Sequence, residues 1–275
     1  MLPSVCHRPF EPYTTHKLTG GLDGECTSPN QLRWDPFPMA AGDVDFVDGL
    51  RTICRAGSPE TRTGLAIHIY TASVGMGRRA MNNSDGDLLV VPQQGALMVR
   101  TELGRLQVRP NEILVIPRNI RFALDPDNDD GAGIRGYVLE VYSGHFELPD
   151  LGPIGSNGLA NPQDFQYPTA WAERDDADWT IINKYQGDLW AAIQDHSPFD
   201  VVGWRGNYAP YKYDLGRFMV INTVSHDHPD PSIFTVLTCK SPVPGQAIAD
   251  FAIFPPRWAV AEHTFRPPYF HRNVM

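Results

Sequence analysis

Four of the nine histidines lie in the last fifth of the chain, with carboxylates close to them in sequence. His226 and His228 are separated by one residue, so an extended segment would place both on one face. His263 and His271 follow, and the acidic neighbours are Asp227, Asp230 and Glu262. Imidazole and carboxylate without cysteine suit non-haem Fe(II), Mn or Zn. The spacing alone leaves open the alternative that at most one of these histidines contacts a metal.

Prolines frame the last of these histidines. Pro255 and Pro256 precede it, and Pro267 and Pro268 stand just before Tyr-Phe-His271. Because proline fixes φ and lacks an N–H donor, the segment should enter a sheet edge or a loop in one fixed shape. His271 is therefore a candidate metal ligand. The alternative is a histidine that is hydrogen-bonded at a domain surface.

The other five histidines have no partner at ligand spacing, and they are predicted to be hydrogen-bonded scaffold residues: His7, His16, His68, His145 and His196. The chain also lacks a Gly-x-Ser-x-Gly elbow, a Walker loop and a dinucleotide fingerprint. Nucleotide-dependent chemistry and serine hydrolysis are therefore not indicated.

Composition excludes several classes of partner. The formal net charge is -9, and the 23 basic residues are dispersed, so a nucleic-acid partner is not expected. The longest apolar runs, such as Leu88–Val91, are too short to cross a bilayer, and the start of the chain lacks the features of a secretory signal. The four cysteines form no C-x-x-C pair. We expect a cytoplasmic protein without a membrane span.

Short β-rich runs separated by turn residues begin near Val44 and predict an antiparallel sandwich or barrel. They include Gly64–Tyr70, Leu88–Val91, Ile113–Ile116 and Tyr137–Tyr142. The segment Asp188–Gln194 has the clearest helical periodicity and predicts a helix of barely two turns.

Stretches rich in Gly, Pro and Asn divide the chain. Residues 3–41 read as an irregular arm that is anchored by Asn30–Trp34, and the loop 148–162 is long enough to carry a binding or assembly surface. A boundary near Asp214–Arg217 gives an N-terminal domain of residues 1–216 and a second domain of residues 217–275. The second is too short to close a sandwich of its own.

The stretch Gly95–Ile113 has a spacing of apolar and turn residues that resembles cupin strands. Cupins hold a metal with an H-x-H pair, and the equivalent region here, Asn82–Asp87, contains no histidine. We therefore expect the first block to support and oligomerise rather than to bind metal.

Seven longer motifs together resemble one family, homogentisate 1,2-dioxygenase, along essentially the whole chain. They are Asn30–Trp34, Asn83–Asp87, Glu147–Gly155, Asn183–Gly187, Gly206–Tyr213, Asp230–Leu237 and Phe265–Asn273. The resemblance implies an all-β fold, with a cupin-like β-sandwich or jelly-roll N-terminal domain and the start of a second cupin-like domain that bears iron. It also implies trimers that assemble into a homohexamer.

By motif position, the resemblance implies that His271 is the first Fe(II) ligand of a two-histidine, one-carboxylate set and that His228 is the acid/base histidine beside the substrate. The implied reaction is cleavage of the ring of homogentisate by O2 to 4-maleylacetoacetate, in tyrosine and phenylalanine catabolism.

The family pattern also continues where this sequence does not. In the family, the glutamate ligand and the second histidine ligand follow His271 beyond Met275, and another segment precedes Leu2. Arg205 stands where many relatives have histidine. We therefore expect a fragment that is inactive by itself. Two alternatives stay open: a non-enzymatic remnant that acts as an assembly or binding module, and a dioxygenase for gentisate-like diphenols.

Overall fold

The computed structural model describes residues 8–13, 35–127, 131–155, 157–204, 206–219 and 231–255. In these ranges the regular structure consists of β-strands and three 3-10 helices, Pro162–Asp164, Leu215–Arg217 and Pro231–Phe234. The all-β prediction is confirmed. The strands are β1 Glu11–Pro12, β2 Leu50–Ser58, β3 Thr63–Ala72, β4 Arg79–Asn83, β5 Asp87–Gln94, β6 Leu97–Thr101, β7 Gly104–Val108, β8 Glu112–Ile116, β9 Phe122–Pro126, β10 Ile134–Val141, β11 Phe146–Glu147, β12 Trp179–Tyr185, β13 Asp188–Gln194, β14 Tyr211–Asp214, β15 Thr235–Lys240 and β16 Ala247–Ala252.

Two sheets form a sandwich. Sheet A has the order β1-β13-β12-β4-β9-β6-β7, and sheet B has the order β14-β8-β5-β10-β3-β2. One hydrophobic core takes side chains from both sheets, including Phe122 and Ile181 of sheet A and Tyr70 and Val138 of sheet B. Each large apolar side chain buried here contributes about 1.5–3 kcal/mol.

Strand alternation decides which side chains enter this core. Along β3, the buried positions Ala66, His68, Tyr70 and Ala72 follow one another at every second residue. A strand places such residues on one face of the sheet. The same period therefore carries the apolar residues and one histidine into the interior.

The helix predicted at Asp188–Gln194 is wrong, because this segment is strand β13. It pairs antiparallel with β12 in a register that sets Tyr185 opposite Asp188. The two residues between them, Gln186 and Gly187, have φ angles of 52° and 82°. Positive φ at both positions is typical of the two-residue hairpin turn that matches strand twist. The hairpin pairing thus overrides a short helical pattern that offers barely two turns.

Residues 8–13 of the predicted arm lie along the edge of sheet A. Strand β1 pairs with β13 through Glu11 and Ala191. Arg79 donates to the hydroxyl of Tyr13 and, at 2.7 Å, to Asp48 Oδ2. These contacts attach the arm to the sandwich by backbone and by side chain. The anchor predicted at Asn30–Trp34 lies outside the described residues.

The chain divides into two compact units. Residues 1–143 with 166–213 form the first, and residues 144–165 with 214–275 form the second. The domain boundary predicted after residue 216 stays a prediction. Within the described ranges, no helix has the length and apolar character that a membrane span needs.

In the second unit, sheet C has the order β11-β15-β16, and all its pairs are antiparallel. The rings of Phe234 and Phe254 pack in a tilted arrangement, with their centroids 4.9 Å apart. Of the strand predicted at Phe218–Asn222, Phe218 and Met219 are not in a strand, and residues 220–222 lie outside the described part.

Candidate functional site

The two predicted site residues, His228 and His271, both lie outside the described residues, and so do His226, His263, Glu262 and Arg205. The structure therefore describes no contact of these side chains. It does describe the elements from which their segments continue, namely the start of β15 and the end of β16.

Sheet C brings these two elements to one place. Strands β15 and β16 are antiparallel, with Thr235 opposite Ala252. Just beyond this pair, Ile253 N donates to Phe234 O at 3.1 Å. The segment before Pro231 carries His228, and the segment after Pro255 carries His271. The chain thus enters β15 and leaves β16 at the same end of sheet C.

Residues 8–13, 35–127, 131–155, 157–204, 206–219 and 231–255 contain no group of three or more His, Cys, Asp or Glu side chains that could hold a metal ion. His271, the one metal ligand that the resemblance implies within this sequence, lies outside these ranges.

Inside the first sandwich, the structure instead assembles an internal ion cluster of Asp85, Glu140 and Lys184, with His68 and Asn83 bound to it. Lys184 Nζ donates to Asp85 Oδ2 at 2.5 Å and to Glu140 Oε1 at 2.9 Å. Lys184 is 1% exposed and Glu140 is 0% exposed. An ion pair taken out of water this completely is favourable only if its remaining donors and acceptors are also satisfied.

Those remaining groups are satisfied by defined partners. Glu140 Oε1 accepts from Asn83 Nδ2 at 2.7 Å, and Glu140 Oε2 lies 3.1 Å from His68 Nε2. His68 Nδ1 lies 2.9 Å from Thr52 Oγ1. Because a carboxylate only accepts, Nε2 of His68 is the donor to Glu140. Both oxygens of the buried carboxylate therefore have partners.

Asp85 binds the hairpin turn described above. Its Oδ1 accepts from Gln186 N at 2.6 Å, and its Oδ2 accepts from Gly187 N at 2.9 Å. Asn83 Oδ1 accepts in turn from Asp85 N at 3.0 Å, which closes a short local turn. The cluster thus joins the β4–β5 connection to the β12–β13 hairpin.

The charge state of Glu140 follows from these partners. Burial alone would raise the pKa of this carboxyl. The Lys184 ammonium, with hydrogen bonds from His68 and Asn83, outweighs burial and lowers the pKa of Glu140 to about 2. Glu140 is therefore ionised at neutral pH.

The predicted scaffold role of His68 is confirmed by its bonds to Thr52 and Glu140. His196 Nδ1 likewise lies 2.8 Å from Asp195 Oδ1, and His145 also has an interaction partner. His7 and His16 lie outside the described residues.

The cluster itself was missed from the sequence, although a signal was present. Glu140 follows the core residue Val138 by two positions, as His68 follows Ala66. A charged residue at a position where the strand period demands burial indicates a paired interior charge.

Comparison with known proteins matches both parts of the chain to one family. The family model "Homogentisate 1,2-dioxygenase N-terminal" matches residues 1–215, and the C-terminal model of the same family matches residues 216–275. Homogentisate 1,2-dioxygenase of Drosophila melanogaster is 58% identical over 279 residues, which cover 100% of this chain and 63% of the relative. The Caenorhabditis elegans protein of that name is 59% identical, over 99% of this chain and 62% of the relative.

Among solved structures, a cupin superfamily protein from Desulfitobacterium hafniense aligns with a TM-score of 0.30 and 14% identity, over 43% of this chain and 100% of that one. A likeness this slight adds nothing to the fold described above. The chain spans about 63% of the length of the Drosophila relative. Because the family models together match residues 1–275 and the identity extends along the same length, the chain belongs to the homogentisate 1,2-dioxygenase family.

Proposed function

We propose that this chain is part of an Fe(II)-dependent dioxygenase that cleaves the ring of homogentisate with O2 to give 4-maleylacetoacetate, in the breakdown of tyrosine and phenylalanine. The observation that supports this most strongly is the family match, which extends through the segments that carry His228 and His271. The topology of sheet C is consistent with it, since the chain enters β15 and leaves β16 at the same end of that sheet.

In this proposal, His228 takes the hydroxyl proton of the substrate. An imidazole with a pKa near its ordinary value of about 6.5 can accept a proton at neutral pH and return it later. Removing a proton makes the diphenol ring more electron-rich, which favours its reaction with O2.

His271 is proposed as one protein ligand of the iron. Ferrous iron held on one face by two histidines and a carboxylate offers open positions to a substrate oxygen and to O2. The resemblance implies that a carboxylate and a second histidine complete this ligand set.

The proposed partners are homogentisate, O2 and further copies of the chain in a trimer-based hexamer, in the cytoplasm. One described surface fits an assembly role. In the loop between β11 and the first 3-10 helix, Leu151 is 62% exposed and Ile154 is 88% exposed. Large apolar side chains exposed close together are typical of interaction surfaces.

The test is a ring-cleavage assay on the protein expressed from the complete reading frame, with homogentisate and gentisate as competing substrates. We expect homogentisate-dependent O2 uptake and a loss of about 10²–10⁴-fold in kcat for His228→Ala. The variant His145→Gln serves as the control and should retain activity. Preference for gentisate, or full activity in His228→Ala, would overturn the proposal, and a lack of activity on both diphenols would favour a non-enzymatic module.

A further inference from the structure

The ammonium of Lys184 lies among three electron-rich groups of two kinds. Two are the carboxylate oxygens Asp85 Oδ2 and Glu140 Oε1, at 2.5 Å and 2.9 Å. The third is the ring face of Tyr142, whose centroid lies 5.6 Å from Nζ. An ammonium group has three N–H donors, and an aromatic face attracts a cation at this distance. The ammonium therefore has two hydrogen-bond acceptors, and the ring of Tyr142 adds a further attraction.

The acceptors are held in place without help from Lys184. Two turn amides, those of Gln186 and Gly187, bind Asp85, and the side chains of Asn83 and His68 bind Glu140. All these groups belong to the first unit. The site is thus a formed receptor, because each of its carboxylates is oriented by donors other than the cation it binds.

These features favour an ammonium over a metal ion as the occupant. Apart from Lys184, four N–H donors already occupy about half of the lone-pair sites of Asp85 and Glu140, which leaves fewer sites for a coordination shell. The part of the chain that the structure describes also brings no three metal-ligating side chains together. Asp85, which binds the Lys184 ammonium, lies in the region Asn82–Asp87. The cupin-like sequence pattern would place a metal-binding H-x-H pair in this region.

From this arrangement we infer that the first sandwich contains a receptor for a primary ammonium group, built from Asp85, Glu140 and the ring of Tyr142 and filled by the chain's own Lys184. Lys184 is then an internal cation that occupies a site formed by other residues. A site emptied by shortening Lys184 should accept a small primary alkylammonium ion from solution.

The variant Lys184→Ala tests this, because it removes the atoms from Cγ to Nζ, which correspond to n-propylammonium. The variant is refolded from urea with propylammonium chloride, and its thermal midpoint is compared with that in sodium chloride. We expect a saturable rise of several degrees. 1-Propanol, which lacks the charge, tetramethylammonium, which lacks N–H donors, and Zn²⁺ should produce no such rise.

Lys212→Ala is the matched control. Lys212 pairs with Glu112 at 2.8 Å in the same unit, and its side chain is 14% exposed. Propylammonium should leave its midpoint unchanged. The inference is overturned if Lys184→Ala shows no saturable rise, if Lys212→Ala or 1-propanol gives an equal rise, or if Zn²⁺ stabilises Lys184→Ala.

If Lys184→Ala does not fold, the unaltered chain labelled with ¹⁵N-lysine provides the test. Its lysines are Lys17, Lys184, Lys212 and Lys240. At neutral pH we expect one slowly exchanging NH₃⁺ signal with a nuclear Overhauser effect to the Tyr142 ring protons. The lack of that signal, or a neutral NH₂ at Lys184, would refute the inference.

Discussion

Lys184 and Glu140 form an ion pair between the two sheets of the sandwich, with Nζ 2.9 Å from Oε1. Lys184 lies on β12 of sheet A, and Glu140 lies on β10 of sheet B. Both side chains are almost fully buried. The pair therefore links the two layers by an ionic interaction in the buried interior of the sandwich.

Removing one partner of this pair should destabilise the first unit strongly. Glu140→Gln keeps the shape of the side chain but leaves Lys184 with a reduced countercharge in a buried site. Breaking a buried pair in this way costs about 3–5 kcal/mol. The free energy of unfolding from urea titration measures the loss. Glu112→Gln, which alters the more exposed pair with Lys212, should lose about 1 kcal/mol or less. Equal losses in the two variants would contradict the importance given to the internal cluster.

The same pair predicts a loss of stability in acid. The pKa of Glu140 is about 2 in the folded chain and 4.5 as the ordinary value. The folded state therefore favours the ionised form, so this stabilisation is complete above pH 4.5 and is lost as pH falls through about 2. One such group changes stability by at most about 1.4 kcal/mol per pH unit.

The measurement is the free energy of unfolding between pH 6 and pH 2 for the original chain and for Glu140→Gln. Other carboxyls titrate in both proteins, so the difference between the two curves isolates Glu140. We expect that difference to shrink as the pH falls. A difference that stays constant over this range would show that Glu140 is not preferentially ionised in the folded chain.

The turn next to the cluster predicts a strict requirement for glycine. A Cβ added at Gly86 would overlap the carbonyl oxygen of Val141, which is backbone and cannot move aside. At Gly42, an added Cβ would meet nothing within 4 Å, although φ is 80°. Gly86→Ala should therefore lower the thermal midpoint more than Gly42→Ala, which carries only the cost of a left-handed backbone, about 1–2 kcal/mol. A smaller effect at Gly86 would contradict the described approach of the two segments.

Particular residues show how far the sequence predicts this structure. The alternation of apolar and polar residues in Gly64–Tyr70 and Tyr137–Tyr142 predicts strands, because a residue period of two fits a half-buried strand and does not fit a helix. The helix predicted at Asp188–Gln194 is wrong, because the short apolar pattern fits a helix while the pairing with β12 depends on the three-dimensional structure.

The candidate sites divide in the same way. His228 and His271 are predicted as site residues from long motifs shared with a family. The spacing of the histidines alone leaves open whether they contact a metal. The internal ion cluster unites Asp85, Glu140 and Lys184, which are far apart in the sequence. Each alone reads as an ordinary charged residue. Only the strand period at Glu140 marks one of them as buried, and no local pattern indicates which cation it meets.

The central claim is that His271 helps to hold a catalytic ferrous ion, and iron content with homogentisate-dependent O2 uptake tests it most directly. Both are measured on protein from the complete reading frame, unaltered and as His271→Ala. The account predicts close to one iron per chain and ring cleavage in the unaltered protein, with both lost in His271→Ala while the fold is retained. An unaltered protein without iron, or a His271→Ala variant that keeps stoichiometric iron and full activity, would contradict it.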